Sequence, residues 1–268
     1  MSQDKETSLR RKGIYLLPNL FTTAGLFAGF YAIVAAINGR FEAAAIAIFV
    51  AMVMDGIDGR VARMTNTQSD FGAEYDSMAD MVSFGIAPAL VMHQWALSSI
   101  TPDKLGWMAA FVYTCGAALR LARFNTHVAT ADKRYFQGLA SPAAAALIAG
   151  LIWVGDDFGM KGDTLNWLAF VITLGAGVLM VSNIRYHSFK QVDLHGKVPF
   201  IVMVAIMLVF ALIYLHPPIV LFTGFLVYAA SGPVLSLYDW QKRRIAKSAG
   251  GPSGTVNKKP AEKSGTED

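Results

Sequence analysis

Residues 55–80 read DGIDGRVARMTNTQSDFGAEYDSMAD and place four carboxylates in an otherwise apolar part of the chain. Asp55 and Asp58 lie three residues apart, so they can share one face of a helix. Asp76 and Asp80 lie four residues apart and can share a face of a second helix. If the two helices face each other across the short link between them, the four carboxylates meet. The stretch therefore predicts a helical hairpin that carries an acidic site.

Carboxylates this close repel one another unless cations compensate their charge. Oxygen ligands suit hard cations, so the pattern predicts Mg²⁺ or Mn²⁺, and two divalent cations could share the four side chains. The alternative is that the acids are solvated helix ends or partners in buried ion pairs. Carboxylates inside a membrane are rare and costly, which favours a functional site.

Residues near the acids suit a phosphate ligand. Gly59 and Gly72 have no side chain, so a phosphate or a backbone can approach them closely. Arg63 lies one turn beyond Gly59 and could bind a pyrophosphate with two hydrogen bonds, or it could extend to the membrane surface. Ser69 lies in the link, where it could donate to a phosphate or act as an ordinary turn residue.

The composition indicates the class of protein. The chain has 268 residues, of which 54% are hydrophobic and 16% charged, and its mean hydropathy is +0.42. These values indicate a polytopic membrane protein. Cys115 is the one cysteine, which excludes a disulfide framework and a cysteine-based metal site. The basic start leads into a full-length span, so no cleavable signal peptide is expected.

Eight apolar segments are predicted to cross the membrane. The fold class is therefore all-α: a polytopic membrane helix bundle with about eight transmembrane helices. We expect residues 1–17 to be a basic cytoplasmic segment, residues 18–240 to be the membrane domain, and residues 241–268 to be a disordered cytoplasmic tail. The predicted segments are 18–38, 42–63, 72–97, 105–126, 140–156, 164–184, 198–216 and 218–239.

The distribution of positive charge predicts the orientation. With the N-terminus in the cytoplasm, only Arg40, Lys104 and Lys161 of the 23 lysines and arginines fall on the outer side. Such an excess of cations on one side favours a cytoplasmic location of both termini. The acidic cluster then lies near the cytoplasmic ends of its helices, where a soluble substrate can reach it. In a bacterium, the membrane would be the cytoplasmic one.

Eight fixed positions of the 55–80 stretch resemble the signature of the CDP-alcohol phosphotransferase family. They are Asp55, Asp58, Gly59, Ala62, Arg63, Gly72, Asp76 and Asp80. The resemblance implies a core of six helices, here with two more, and a homodimer whose interface is formed by late helices. In this family an Asn-x-x-Thr element lines the nucleotide pocket, and Asn19 and Thr22 match it. The alternative is that Asn19 caps the first apolar helix.

Later motifs resemble the phosphatidylserine synthase branch of that family. Arg-Leu-Ala-Arg-Phe-Asn stands at 120–125, Gly-Leu-Ala-Ser-Pro at 138–142, and Arg-Tyr-His-Ser-Phe-Lys at 185–190. The chain has Ala140 where the branch commonly has proline. The branch resemblance implies that the acceptor is serine.

Three residues of the first of these motifs are candidates for binding that serine. Arg120 and Arg123 lie three residues apart, so their side chains can project towards one site. Arginine commonly binds carboxylates, and Asn125 could contribute a further polar contact. The alternative is that the two arginines anchor the helix at the cytoplasmic surface.

The family and branch resemblance implies an enzyme that transfers the phosphatidyl group of CDP-diacylglycerol to the hydroxyl of L-serine and releases CMP. Two divalent cations, Mn²⁺ or Mg²⁺, are expected on Asp55, Asp58, Asp76 and Asp80, and Asp80 is also the expected general base. Expected partners are both substrates, membrane lipid and a second copy of the chain, but no nucleic acid. The residues expected to contact CDP-diacylglycerol are Asn19, Thr22, Gly59, Arg63, Ser69 and Gly72.

Other functions fit the same pattern. The same chemistry could use inositol phosphate, glycerol phosphate or choline as the acceptor. A cation transporter could use the carboxylates as an ion path, although it would not need the glycines and Arg63. A non-catalytic scaffold would not need all four aspartates.

Overall fold

A computed structural model describes the chain over residues 2–65, 67, 69–102, 104–127, 135–187 and 200–249. Within these ranges the chain forms nine α-helices and one two-stranded antiparallel sheet. The helices are α1 Ser2–Ile37, α2 Phe41–Met64, α3 Asp70–Asp80, α4 Ala87–Trp95, α5 Lys104–His127, α6 Ser141–Asp157, α7 Gly162–Val181, α8 Phe200–Leu215 and α9 Pro217–Ala249. The strands are β1 Tyr135–Gln137 and β2 Arg185–His187. The predicted helical class is confirmed.

Helices α1 and α2 form a tightly packed pair because small residues line their contact. Ala32 and Ala35 of α1 and Ala44 of α2 are fully buried. The connecting turn contains Gly39 at φ +70°, a conformation that favours glycine. This pairing holds the start of the apolar part of α1 beside the acidic end of α2.

The first helix begins earlier than predicted. It starts at Ser2, so Asn19 lies inside α1, and its interpretation as a helix cap is wrong. Residues 2–17 include Lys, Arg, Glu and Gln, which favour helix formation, so the helix extends through the polar segment.

The third predicted segment, 72–97, is not one regular helix. α3 ends at Asp80, a π-helical turn covers Met81–Ile86, and α4 begins at Ala87. The amide of Ala87 donates to the carbonyl of Val82, five residues earlier. Pro88 lacks an amide hydrogen and would crowd the carbonyl four residues before it, so a widened turn is favoured here.

Helix α6 lies at the centre of the bundle. Its residues 143–152 are all buried, and it packs against α2, α7 and α9. Helices α5 and α7 approach each other closely, since a Cβ atom at Gly116 would collide with the backbone of Gly177. The apolar core is therefore continuous between the helices that carry the predicted site.

Four helical stretches in the described ranges are long and apolar enough to cross a bilayer, so the predicted count of about eight is not confirmed. α2 and α3 carry the charges of the 55–80 stretch, and α6 and α8 have only 17 and 16 residues. The predicted break between the last two segments is confirmed at His216. The four stretches are Leu17–Ile37, Lys104–Thr126, Gly162–Val181 and Pro217–Tyr238.

The last helix extends into the predicted disordered tail. α9 continues to Ala249, so the expectation of disorder is wrong for residues 241–249. This segment reads QKRRIAKSA, and its Lys, Arg, Gln and Ala residues favour a helix. Residues 250–268 lie outside the described part of the chain.

A short ribbon connects the loops beside the bundle to α9. β1 pairs with β2, with Phe136 opposite Tyr186. The Tyr186 hydroxyl donates to the carbonyl of Ala229 over 2.9 Å, and the tyrosine ring packs against Gly232. The ribbon is thereby attached to α9 through Tyr186.

Candidate active site

Three carboxylates converge where α2 faces α3. Oxygen atoms of Asp55, Asp76 and Asp80 lie within 4.8 Å of one another, and all three residues are partly buried. Asp55 comes from α2, whereas Asp76 and Asp80 occupy successive turns on one face of α3. The structure therefore brings together three of the four aspartates that the sequence predicts as metal ligands.

The fourth aspartate lies in the same cavity but is held differently. Asp58 is 5% exposed, and its Oδ2 accepts a hydrogen bond of 2.8 Å from the Thr22 hydroxyl. The same hydroxyl lies 3.2 Å from the carbonyl of Pro18, which fixes its position on α1. Asp58 thus belongs to the acidic site while α1 restrains its side chain.

The four aspartates line one small cavity between α1, α2, α3 and the π-helical turn. Its remaining lining is mostly small or apolar: Thr22, Gly25, Leu26, Ala51, Ala79, Ser83 and Phe84. Negative charge concentrated in such a setting favours a cation as its partner. The acidic side of the site is defined here as Asp55, Asp58, Asp76 and Asp80.

The donor set of the acidic side fits divalent metal ions. Every candidate ligand is a carboxylate oxygen, the donor type that Mg²⁺ and Mn²⁺ prefer. Three carboxylates within 4.8 Å can contribute to one coordination sphere, and Asp58 lines the same cavity. The residues present therefore suit metal binding.

Three of the predicted lipid-binding residues, Asn19, Ser69 and Gly72, meet at the start of α3. Ser69 caps α3, because its Oγ accepts a 3.0 Å hydrogen bond from the amide of Gly72. A Cβ atom at Gly72 would lie 3.5 Å from Oδ1 of Asn19, so α1 and α3 meet at this glycine. The turn role of Ser69 is thus observed, and its hydroxyl hydrogen can still be donated.

Gly59 and Arg63 face solvent on the last turns of α2. A Cβ atom at Gly59 would meet no other atom within 4 Å, so protein packing does not require glycine there. Arg63 is exposed, and its Nε donates to the carbonyl of Gly59 over 2.8 Å. This leaves the two terminal nitrogens of the guanidinium, which suit a phosphate.

Arg120 of α5 lies close to the acidic side. Its Nη1 donates to Oγ of Ser141 over 2.8 Å, and its charge acts on Asp80. The Nε atom of Arg120 is buried and makes no hydrogen bond to any described residue. A buried donor of this kind is available to a ligand with an oxygen acceptor.

Two further residues at the end of α5 bond to other elements. Arg123 donates from Nη1 to Oδ1 of Asn183 over 3.3 Å, and Asn125 donates from Nδ2 to Oγ of Ser77 over 3.1 Å. Ser77 directly follows Asp76, so Asn125 connects the end of α5 to the acidic helix. The basic side of the site is defined here as Arg120 and Arg123.

Sequence reasoning did not nominate several residues that contact the site. Ser77, Ser141 and Asn183 bond to its polar side chains. Ser141 lies in the Gly-Leu-Ala-Ser-Pro motif at 138–142, and this motif is the sequence signal that could have identified it. The others are ordinary polar residues whose proximity arises only from packing.

Comparison with known proteins identifies the family. The family model described as CDP-alcohol phosphatidyltransferase matches residues 15–175, which is more than half of the chain. The chain therefore belongs to the CDP-alcohol phosphatidyltransferase family, as its 55–80 signature predicted. Proteins of this family use divalent metal ions, and with its apolar helices this chain is an integral membrane protein.

Several relatives carry the name CDP-diacylglycerol–serine O-phosphatidyltransferase. The protein from Helicobacter pylori is 39% identical over 199 residues, covering 74% of this chain and 82% of its own length. The protein from Mycobacterium leprae is 33% identical over 233 residues, covering 84% and 76%. An archaetidylserine synthase from Methanothermobacter thermautotrophicus is 34% identical over 172 residues, covering 63% and 69%.

Proposed function

We propose that this protein transfers the phosphatidyl group of CDP-diacylglycerol to the hydroxyl of L-serine, which yields phosphatidylserine and CMP. One observation carries the proposal: Asp55, Asp76 and Asp80 converge within 4.8 Å in a chain of this family. The names of the relatives support serine as the acceptor.

Asp55, Asp58, Asp76 and Asp80 would hold two divalent cations, Mn²⁺ or Mg²⁺. When bound, the ions supply neutralisation of negative charge on the phosphoryl oxygens and on the leaving group. The protein positions the carboxylates for metal binding. The hydrogen bond from Thr22 orients the side chain of Asp58.

Asp80 is the proposed general base. It accepts the proton of the serine hydroxyl, and the hydroxyl oxygen forms a bond to the phosphorus that carries diacylglycerol. The bond from that phosphorus to the bridging oxygen of the pyrophosphate breaks, and CMP leaves with this oxygen. The location of Asp80 supports this role, because it lies on the acidic side close to Arg120, a proposed ligand of the serine carboxylate.

The CDP-lipid would lie along α1, α2 and α3. Arg63 binds the pyrophosphate, which can approach the backbone closely at Gly59 and Gly72 because glycine has no side chain. Asn19 and Thr22 line the nucleotide end, and Ser69 donates its hydroxyl hydrogen to a phosphate oxygen. The exposure of Gly59 and Arg63 supports this assignment.

Serine would bind between the acidic and basic sides. Its carboxylate accepts hydrogen bonds from Arg120 and Arg123, and Asn125 contributes a polar contact. The buried Nε of Arg120 supports this location. The serine hydroxyl then lies towards Asp80.

The membrane arrangement is part of the proposal. Eight helices would cross the membrane, residues 18–240 would form one membrane domain, and both termini and the site would face the cytoplasm. The positive-charge distribution supports this orientation. Two copies of the chain would form a homodimer through late helices, and the exposed apolar side chains of α8 and α9 are compatible with such a contact.

The deciding experiment measures CMP release by purified protein supplied with CDP-diacylglycerol and Mn²⁺ or Mg²⁺. L-serine, inositol phosphate, glycerol phosphate and choline are added one at a time. We expect release that depends on L-serine and is accompanied by phosphatidylserine.

Other outcomes would change the proposal in defined ways. Release with a different alcohol would keep the reaction and reassign Arg120, Arg123 and Asn125 to that acceptor. If folded protein releases no CMP with any alcohol, the enzyme proposal is wrong, and metal flux into vesicles becomes the next measurement.

A further inference from the structure

The π-helical turn after Asp80 contains a carbonyl group whose regular α-helical donor is missing. In a regular helix, the carbonyl of Phe84 would accept a hydrogen bond from residue 88. Residue 88 is proline, which has no amide hydrogen. A buried carbonyl without a donor is costly, and Phe84 is 1% exposed.

Tyr113 of α5 donates to this carbonyl. Its hydroxyl donates to the Phe84 carbonyl over 2.9 Å, and its side chain is fully buried. The backbone of α7 packs closely against Tyr113, since a Cβ atom at Gly177 would lie only 2.8 Å from the Cα atom of Tyr113. This packing restrains the tyrosine. The position of the hydroxyl is therefore set by the packing of α5 on α7.

The same face of α5 contacts the turn and the base. Tyr113 bonds to Phe84, Ala117 packs near Gly85, and the charge of Arg120 acts on Asp80. These α5 residues are spaced four and three apart, as one helical face requires. One face of α5 thus contacts the π-helical turn and reaches the last residue before it.

We propose that Tyr113 is a positioning residue for Asp80, acting through the π-helical turn. Its hydrogen bond to the Phe84 carbonyl holds the π-helical turn against α5. Because Asp80 directly precedes this turn, the position of Asp80 relative to Asp55 is then fixed as well. The catalytic part of this inference rests on the proposed function, whereas the metal-binding part rests on the acidic cluster alone.

The test compares two tyrosine-to-phenylalanine variants of the full-length protein. Tyr113→Phe removes the bond to Phe84, and Tyr186→Phe removes an equally short bond from another buried tyrosine to the carbonyl of Ala229. Each variant loses one buried hydroxyl and leaves one helix carbonyl without its donor. Only the first alters the turn that follows Asp80.

The first readout is thermal stability as a function of Mn²⁺ concentration, measured without substrates. Binding to the folded state raises the melting temperature, so the concentration dependence reports metal affinity. We expect both variants to melt at a lower temperature in the absence of metal. Only Tyr113→Phe should need more Mn²⁺ for the half-maximal shift, by about tenfold, the effect typical of residues that orient metal ligands.

The second readout is the steady-state rate. We expect Tyr113→Phe to lower kcat by about tenfold with the KM for CDP-diacylglycerol nearly unchanged, because Asp80 acts in the transition state. Equal effects of both variants on metal affinity and kcat, or no effect of Tyr113→Phe on either, would overturn the proposal.

A second substitution keeps the proposal testable if Tyr113→Phe does not fold. Gly85→Ala keeps Tyr113 but adds a Cβ atom 3.2 Å from that of Ala117, a contact tight enough that the turn and α5 must shift apart by a few tenths of an ångström. The Mn²⁺ requirement should rise in the same direction, and an unchanged requirement would contradict the proposal.

Failure of this proposal and failure of the proposed function can be distinguished. If Mn²⁺ raises the melting temperature of the wild-type protein but no CMP is released, the proposed reaction is wrong. The thermal comparison of the variants then still decides the role of Tyr113. If wild-type protein shows no Mn²⁺ shift, the acidic cluster is not a metal site, and the positioning role falls with it.

Discussion

The acidic and basic sides of the site are built in different ways. The acidic side uses fixed spacings on two helices that are neighbours in the chain, α2 and α3. The basic side comes from one helix, but its arginines are held by Ser141 and Asn183, which lie 21 and 60 residues further along. The acidic side is therefore a local feature of the sequence, whereas the basic side depends on the folding of the whole bundle.

The two sides interact where Arg120 lies close to Asp80 and Asp55. Asp80 lines the same cavity as the other three acids, and Arg123 donates a hydrogen bond to Asn183. Separated charges allow one side to hold cations and the other to bind an anionic group without mutual neutralisation. This difference suggests which substitutions should separate metal binding, proton transfer and acceptor binding.

The largest effect is expected where the sides meet. Asp80→Asn removes the base and a metal ligand with almost no change in volume, so kcat should fall by 10²–10⁴-fold, on the order typical of general bases. Binding of CDP-diacylglycerol should remain largely intact. The measurement is CMP release beside equilibrium binding of the lipid. Asp70→Asn, an exposed position on the same helix, is the matched control and should behave as wild type. Full activity of Asp80→Asn would exclude this residue as the base.

A smaller effect is expected on the basic side alone. Arg120→Lys keeps the positive charge but loses the planar set of donors, so the KM for serine should rise by about tenfold or more. The KM for CDP-diacylglycerol and the Mn²⁺ requirement should not change. Arg60→Lys, on an exposed turn of α2, provides the control. A changed Mn²⁺ requirement with an unchanged KM for serine would assign Arg120 to the acidic side.

The smallest effect is expected where α1 supports the acidic side. Thr22→Val removes the hydrogen bond to Asp58 at similar volume, so the Mn²⁺ concentration for half-maximal activity should rise by about tenfold. Thr23→Val is the neighbouring control, because Thr23 bonds to Asn19 and Tyr75 instead. If both variants have the same Mn²⁺ requirement, the contact between Thr22 and Asp58 does not matter for metal binding.

Much of the fold could be predicted because the signals were local. The predicted segments 42–63, 105–126 and 140–156 agree closely with α2, α5 and α6, since long apolar stretches and short polar links define them. The helical spacings of Asp55 with Asp58 and of Asp76 with Asp80 likewise predicted a shared site of four carboxylates, of which Asp55, Asp76 and Asp80 converge. The extension of α1 and α9 was missed, because polar segments with good helix formers have no apolar pattern to reveal them.

The sequence by itself determined the family, the helical class, the membrane character and the identity of the acidic residues. Each of these follows from residue type and spacing along one or two neighbouring helices. Only the tertiary structure decided that Thr22 bonds to Asp58, that Ser141 holds Arg120, and that Tyr113 completes the turn after Asp80. The physical reason is that these bonds join residues 21 to 36 positions apart, so they form only when separate helices pack together.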